Sequence, residues 1–252
     1  MKPYYKNELT TIYNGDCLEV MDYLIKQGIK FDAIITDPPY GTTACSWDNV
    51  IPFDEMWLRL KKLRKDKTPI VLFGSEPFSS HLRMSNIKEY KYDWIWDKMK
   101  GTNFLNAKIQ PMKYHEIISV FNQHNYYPQK TYGHKKKISF RSKDLQTEVY
   151  GDINKDYRYE STERYPKSIQ EFHVDTQSSS LHPTQKPVEL IKYLIETYTK
   201  KGDLILDFTA GSFTTCIAAD QLGRRSIGIE LDKGYCDIGI KRLQSLQMRL
   251  DI

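Results

Sequence analysis

Asp37, Pro38, Pro39 and Tyr40 form the segment of this sequence with the clearest capacity for chemistry. They follow the apolar run at residues 31–35, and an apolar run that ends at prolines predicts a buried parallel strand, because proline cannot donate to a sheet. Open α/β sheets bind ligands at the carboxyl ends of their strands. A carboxylate, a rigid turn and an aromatic ring at that edge suit a planar base bearing an amine. A strand-ending turn with a surface tyrosine is the competing interpretation.

A second site is predicted where a strand leads through a glycine turn into a helix and the next strand. Residues 204–208 predict the first strand, and Glu230 ends the second strand 19 residues after Gly211. In nucleotide-binding βαβ units, glycine lets the backbone approach the ligand and the acid binds ribose hydroxyls. A turn with one glycine favours a nucleoside without a pyrophosphate, such as the adenosyl part of S-adenosylmethionine, over NAD. The alternative is an ordinary strand–helix turn.

The elements that must position these residues alternate between strands and helices. Strands are predicted at 11–17, 31–36, 69–75, 90–97, 115–121, 204–208 and 225–231, and helices at 18–25, 53–65, 76–87, 188–197, 214–222 and 233–248. This alternation predicts an α/β fold with a parallel sheet covered by helices on both faces. The loop containing Trp47 and Asp48 is placed where a lid over the crevice is expected.

The composition changes between residues 122 and 180, where long apolar runs disappear. Residues 130–143 contain no acidic residue, and aromatic residues such as Tyr132 and Phe140 lie between the cations. Cations beside aromatic rings suit phosphates and unstacked bases, so we predict DNA contacts here; a solvated, partly disordered insertion is the alternative. The predicted DNA-binding residues are Lys130, Lys135, Lys136, Lys137, Arg141 and Lys143.

The overall composition is that of a globular protein. Of its 252 residues, 40% are hydrophobic and 27% are charged, and the formal net charge of +5 permits an anionic partner. No apolar run approaches the length of a membrane helix, and the first ten residues lack the apolar core of a signal peptide, which predicts a cytoplasmic location. The four cysteines are widely spaced, so we predict reduced thiols that mostly fill the core, and no metal site.

Three separated motifs together resemble the amino-methylating DNA methyltransferases. They are DPPY at residues 37–40, HPTQKP at 182–187 and DFTAGSFTT at 207–215. Their order, with the catalytic strand first and the cofactor strand last, is similar to the β subclass, and the resemblance covers nearly all of the chain except residues 122–180. It implies a Rossmann-like, seven-stranded, mostly parallel methyltransferase sheet. It also implies a catalytic half at 1–121, a target-recognition insert at 122–180 and a cofactor-binding half at 181–252.

The resemblance assigns catalysis to Asp37, Pro38, Pro39 and Tyr40, and S-adenosylmethionine as cofactor. Asp37 and the Pro38 carbonyl would accept hydrogen bonds from the exocyclic amine of a flipped base, and Tyr40 would stack on its ring. Gly211 would line the methionine end of the cofactor. Roles also follow for Glu230 at the ribose, Asp16 at the adenine amine and Lys186 near the methionine carboxylate. The cofactor-binding set is Asp16, Asp37, Lys186, Asp207, Phe208, Ala210, Gly211, Ser212 and Glu230.

The expected reaction is site-specific methylation of adenine N6 in duplex DNA. Adenine is favoured because cytosine-specific members more often begin this motif with serine. Cytosine N4 is the alternative, as is a catalytically silent DNA-binding subunit, and RNA or protein is a further possible substrate. A homodimer and a cognate restriction endonuclease are possible partners.

Two residues depart from the family pattern. Thr209 stands where proline is usual, and Phe213 stands where a second glycine is usual. Phenylalanine disfavours a positive φ and is expected to place a ring near the cofactor turn, which would weaken cofactor binding unless the turn is built differently.

Overall fold

The computed structural model describes residues 1–42, 48–141, 156–174 and 185–250, with the backbone alone for Arg141 and for 246–250. The chain divides into two compact units, one formed by Met1–Tyr127 with Ser168–Ile252 and the other by Pro128–Lys167. Its strands are β1 (Tyr5–Lys6), β2 (Thr10–Asn14), β3 (Ala33–Thr36), β4 (Ile70–Gly74), β5 (Tyr90–Thr102), β6 (Lys113–Phe121), β7 (Lys137–Arg141), β8 (Tyr157–Ser161), β9 (Ile169–Glu171), β10 (Leu204–Asp207) and β11 (Arg225–Glu230).

The larger unit contains a nine-stranded sheet in the order β1-β2-β11-β10-β3-β4-β6-β5-β9. The five strands from β2 to β4 in this order are parallel, and β6 is antiparallel to both β4 and β5. The predicted mostly parallel α/β sheet is therefore confirmed. The two strands beyond the predicted seven are β1 and β9, short edge strands of two and three residues that lack the long apolar run by which a buried strand is recognised.

Helices cover both faces of this sheet. They are α1 (Cys17–Lys26), α2 (Phe53–Leu63), α3 (Phe78–Ser85), α4 (Val188–Tyr198), α5 (Thr214–Gln221) and α6 (Lys233–Leu250). On one face, Leu24 of α1 and Leu60 of α2 pack with Ile34 of β3. On the other face, Leu194 of α4 and Ala218 of α5 pack with Ile35, because successive residues of a strand point to opposite faces. Among the described helices, none has the length and apolar character needed to cross a bilayer.

The sheet has a switch in strand order between β3 and β10. From β10 the chain passes through α5 to β11 on one side, and from β3 it passes through α2 to β4 on the other. Connections that diverge in this way leave a crevice at the carboxyl ends of the two strands. Both predicted sites are therefore brought to the same place in the fold.

The smaller unit is built around an antiparallel pair formed by β7 and β8. Its bounds, Pro128–Lys167, are narrower than the predicted insert at 122–180. Tyr127, the residue before the smaller unit, belongs to the larger unit, where its amide donates to the Thr197 carbonyl at 2.8 Å. At the other end, β9 pairs with β5, so the residues flanking the smaller unit are parts of the larger one.

Candidate active site

Asp37 lies one residue beyond β3, directly beside the end of β10. The Thr209 hydroxyl donates to the Asp37 main-chain carbonyl at 3.1 Å. One residue earlier, the Thr36 hydroxyl donates to Asp207 Oδ1 at 2.7 Å and accepts from the Phe208 amide at 2.9 Å. These bonds join the end of β3 to the end of β10, although the two strands are about 170 residues apart in the chain.

The Asp37 carboxylate belongs to a buried chain of alternating charges. Its Oδ2 lies 2.5 Å from Lys186 Nζ, and its Oδ1 accepts a hydrogen bond from the Tyr40 hydroxyl. Lys186 Nζ also lies 3.2 Å from Glu116 Oε2, and Glu116 Oε1 lies 2.5 Å from Lys98 Nζ. Two carboxylates and two ammonium groups compensate one another, which allows Lys186 to be buried and the other three to be partly buried in charged form.

Burial and pairing tune these groups in opposite directions. Burial raises the pKa of Asp37 and outweighs the opposing attraction of Lys186. Burial also acts to raise the pKa of Glu116, but the ammonium groups of Lys186 and Lys98 lower it overall. Although burial acts to lower the pKa of Lys186, its two carboxylate partners raise it overall. The pKa values of the two carboxylates therefore shift in opposite directions, and Lys186 keeps its charge.

Glu116 and Asp48 are the site residues that sequence reasoning missed. Glu116 lies on β6 and helps to line a cavity of about 230 Å³. Its signal was a single acid within the apolar strand motif YHEIISVF. Asp48, predicted only as part of a lid, accepts from the amides of Tyr40 at 2.7 Å and Gly41 at 2.8 Å through Oδ1. It holds the backbone that follows the catalytic motif; Trp47 lies outside the described residues.

The predicted ribose ligand is next to the glycine turn. Glu230 Oε2 accepts from the Gly211 amide at 2.8 Å, and Glu230 Oε1 accepts from the Asp232 amide at 2.8 Å. Each carboxylate oxygen retains a second lone pair for a ligand hydroxyl. Asp16 caps α1 through bonds to its Oδ1, and it follows β2, the strand that pairs with β11. Acceptors at the ends of these two neighbouring strands fit the hydroxyls and amine of an adenosine.

The side chains of the other predicted cofactor residues are mostly buried. Phe208 and Ala210 are buried in the core, and Ser212 Oγ lies 3.2 Å from Gln185 Oε1. Asp207 is buried behind them, bonded to Thr36. Lys186 contacts Asp37 and Glu116, and its predicted contact with the methionine carboxylate stays a prediction.

Burial raises the pKa of the Asp207 carboxyl, and a substitution at this position can test the shift. Burial raises its pKa to about 6 from 3.8, against the lowering effect of hydrogen bonds from Thr215 and Thr36. Because the folded state favours the neutral acid, this group's stabilising contribution is complete below pH 3.8 and is lost as the pH rises through 6. We expect Asp207→Asn to remove this loss. Between pH 4 and 7, denaturant titration should show the free energy of unfolding of the variant rising by about 3 kcal/mol relative to that of wild type. If the difference in free energy of unfolding between the two proteins does not change with pH, the raised pKa of Asp207 is contradicted.

The backbone of Phe213 adopts the positive φ that was expected to be unfavourable for phenylalanine. Its φ is +63°, so the backbone adopts the left-handed conformation that glycine was expected to supply. Its ring is fully buried, in a cluster that contains Ala210 of the turn as well as Cys216 and Leu243. The ring therefore lies near the turn, as expected, and the expected weakening of cofactor binding stays a prediction. Gly228 and Gly239 leave the space for this ring, since a Cβ at Gly228 would lie 2.7 Å from it.

The strain and the burial at Phe213 can be separated by two substitutions. Phe213→Ala removes the ring but keeps a Cβ, and we expect it to lower the free energy of unfolding by about 3–5 kcal/mol. Phe213→Gly also relieves the left-handed strain, which is about 1–2 kcal/mol. Denaturant titration should therefore show glycine to be less destabilising than alanine. The reverse order would show that the positive φ carries no cost.

The predicted DNA-binding cations lie in the smaller unit. Lys130 Nζ is 2.8 Å from Glu163 and lies over the Tyr165 ring, and Lys136 pairs with Glu160. Lys135 precedes β7 and Lys137 opens it, whereas the Arg141 side chain and Lys143 lie outside the described residues. Some of these cations are therefore already paired with acids, which sequence spacing alone did not indicate.

Comparison with known proteins identifies the family of this chain. The model of a family of DNA methylases of the N6 and N4 type matches residues 31–241. The chain belongs to this family. DNA methylases of this family use S-adenosylmethionine, so the predicted methyl donor is confirmed for the family.

Two type II methyltransferases are similar to this DNA methylase over nearly its whole length. M.HinfI of Haemophilus influenzae is 28% identical over 98% of this chain and 72% of its own length. M2.DpnII of Streptococcus pneumoniae is 27% identical over 97% of this chain and 93% of its own length.

Solved structures share the fold of this methylase. The complex of M1.HpyAVI with S-adenosylmethionine has a TM-score of 0.66 at 24% identity, covering 93% of this chain and 100% of that one. The cytosine-N4-specific PvuII DNA methyltransferase has a TM-score of 0.65 at 16% identity, covering 96% and 88%. A cytosine-specific enzyme therefore has the same fold, so the fold alone does not choose the base.

Proposed function

We propose that this DNA methylase transfers a methyl group from S-adenosylmethionine to N6 of an adenine in a specific duplex DNA sequence. The observation that carries the proposal is the junction of Asp37 with the end of β10, since it sets an acceptor for an amine beside the glycine turn. Adenine is proposed because the catalytic motif begins with Asp37 where cytosine-specific members more often have serine. Gly211, Glu230 and Asp16 would hold the cofactor, which supplies an electrophilic methyl group when bound.

The chemistry requires a better nucleophile than a free exocyclic amine. Its lone pair is delocalised into the ring, and acceptors at Asp37 and the Pro38 carbonyl would hold the amine hydrogens so that the lone pair becomes available. The raised pKa of Asp37 makes its carboxylate a stronger acceptor for these hydrogens and for the proton released after transfer. Extruding the base costs a few kcal/mol. Stacking on Tyr40 would offset about 1–3 kcal/mol of this cost.

Lys186 has a defined place in this proposal. Its ammonium neutralises Asp37 before the base arrives, and it also lies 3.2 Å from Glu116 Oε2. When the amine hydrogens engage Asp37, the ammonium remains in contact with both carboxylates and keeps their negative charge compensated.

Nucleoside mass spectrometry tests the proposed substrate. DNA incubated with the protein and S-adenosylmethionine should yield N6-methyladenine, whereas N4-methylcytosine alone would refute the choice of adenine. Parallel incubations with RNA and with protein test the other substrate classes. A chain that binds S-adenosylmethionine in calorimetry but methylates none of these would instead be a silent DNA-binding subunit.

The smaller unit is proposed to recognise the DNA sequence through Lys130, Lys135, Lys136, Lys137, Arg141 and Lys143. Neutralising Lys135 and Lys137 together should weaken DNA binding and reduce the slope of log affinity against log salt by about 0.9 for each lost phosphate contact. Lys136 is expected to contribute less because Glu160 already pairs with it. An unchanged slope in fluorescence anisotropy titrations would place the phosphate contacts elsewhere. A homodimer, a cognate endonuclease and a cytoplasmic location stay predictions.

A further inference from the structure

The loop between β5 and β6, residues 103–112, presents large apolar side chains to solvent. Phe104 is 72% exposed, and Leu105 and Ile109 are each 83% exposed. Soluble proteins rarely group such residues on a surface without a binding role. We call residues 103–112 the β5–β6 loop.

This loop is held in shape by its own hydrogen bonds. Asn103 adopts a left-handed conformation with φ of +67°, and Phe104–Asn106 form a short 3-10 turn. The Asn106 amide donates to the Asn103 carbonyl at 3.1 Å, and Asn106 Nδ2 donates to Asn103 Oδ1 at 2.8 Å. A loop that is already ordered loses less conformational entropy when it binds a partner.

The strand that leaves the loop leads directly to the catalytic residues. β6 begins at Lys113, and three residues later Glu116 contacts Lys186, which contacts Asp37. β6 is antiparallel to β4, with Ile117 opposite Gly74 at the carboxyl end of β4. The loop therefore extends from the same edge of the sheet as Asp37.

The charge around the loop favours a nucleic acid over a second copy of this protein. Lys100 and Lys108 are exposed, and residues 98–113 contain no acidic residue; Lys98 is already paired with Glu116. Two basic surfaces of a chain with a net charge of +5 would repel each other. Lysines bind phosphates and exposed apolar groups stack on or between bases, so duplex DNA suits both features of this loop.

We propose that the β5–β6 loop enters the DNA duplex beside the target base, with Phe104 and Leu105 filling the space that the extruded base leaves. Lys100 and Lys108 bind the flanking phosphates. This inference rests on the proposed function, because it presumes a base that leaves the helix. It assigns the loop to base extrusion and leaves recognition of the DNA sequence to the smaller unit.

The first test compares paired and mismatched DNA. A mismatch at the target base lowers the cost of extrusion. We expect Phe104→Ala with Leu105→Ala to methylate a fully paired duplex about tenfold more slowly than wild type, and a duplex mismatched at the target adenine at about the wild-type rate. The matched control is Met84→Ala with Ile87→Ala, which removes exposed apolar side chains beside the start of β5, the end of that strand away from the loop. The control should match wild type on both duplexes.

Several results would overturn the inference. An unchanged rate on paired DNA, or an equal loss on both duplexes, would exclude a role in extrusion. A dimeric wild type that becomes monomeric in the loop variant, measured by sedimentation, would make the loop a contact between protein copies instead.

The second test does not depend on methyl transfer, so it distinguishes failure of this inference from failure of the proposed function. Lys100→Ala with Lys108→Ala should reduce the slope of log duplex affinity against log salt by about 0.9 per lost phosphate contact. Lys61→Ala with Lys62→Ala, at the end of α2, is the control and should leave the slope unchanged. If the protein methylates no DNA but substitution of the loop lysines still lowers this slope, the proposed methyltransferase activity is contradicted and the proposed DNA contact of the loop is supported. If the loop variant and the Lys61/Lys62 control have the same salt slope, the loop proposal is overturned.

Discussion

Asp37→Ala is expected to reduce methyl transfer by about a thousandfold or more, while the affinity for S-adenosylmethionine stays within about threefold. The substitution removes the acceptor that holds the amine, and leaves the Gly211 and Glu230 contact in place. Single-turnover transfer of a labelled methyl group measures the first quantity, and calorimetry measures the second. A parallel loss of both would remove Asp37 from the catalytic role.

Asp32→Ala is the matched control for this experiment. Asp32 precedes β3, at the opposite end of the same strand, and its carboxylate pairs with Lys65 at 2.5 Å. The same chemical change at that end should leave the transfer rate near that of wild type. A comparable loss in Asp32→Ala would indicate that damage to β3, rather than loss of the acceptor, explains the effect.

Lys186→Met is expected to change both stability and the pH dependence of the reaction. Without the ammonium, Asp37 and Glu116 are left as neighbouring buried acids, and removing one partner of a buried ion pair costs about 3–5 kcal/mol. Lys186 acts to lower the pKa of Asp37, so its loss raises that pKa further. Since the ionised carboxylate is the acceptor, the acidic limb of the rate profile should move to higher pH. Denaturant titration and a pH–rate profile measure the two effects.

Two further variants test whether the effect depends on the contact between Lys186 and Asp37. Lys186→Arg keeps the positive charge and should return the acidic limb of the rate profile toward its wild-type position. Lys98→Met removes the other cation of the buried chain, which contacts Glu116 but not Asp37 in the described contacts. It should lower stability while leaving the acidic limb near its wild-type position. An identical shift in Lys98→Met would show that the effect follows total charge and not the contact with Asp37.

Sequence alone predicted the parts of the site that depend on local pattern. Asp37 was predicted at a strand end because an apolar run stops there at two prolines, and β3 does end at Thr36. Glu230 was predicted by its distance from Gly211, and the two are hydrogen bonded. Both inferences rest on features that a short stretch of chain carries by itself.

Contacts between distant segments were not predictable in the same way. Nothing near Glu116 in the sequence indicates that Lys186, 70 residues later, will pair with it. Thr209 was noted only as a departure from proline, yet its hydroxyl donates to the Asp37 carbonyl, a bond that proline cannot make. The short strand β9 was missed because it contains three residues within a polar region.

The burial of Phe213 between Gly228 and Gly239 has a consequence for how sequences diverge within this family. The three positions share one volume, so a change at any one of them alters what the others can accept. Relatives that carry glycine at the position of Phe213 are expected to carry bulkier residues at one of the other two. The family's glycine at this position would then have been lost through a compensated exchange of side-chain volume.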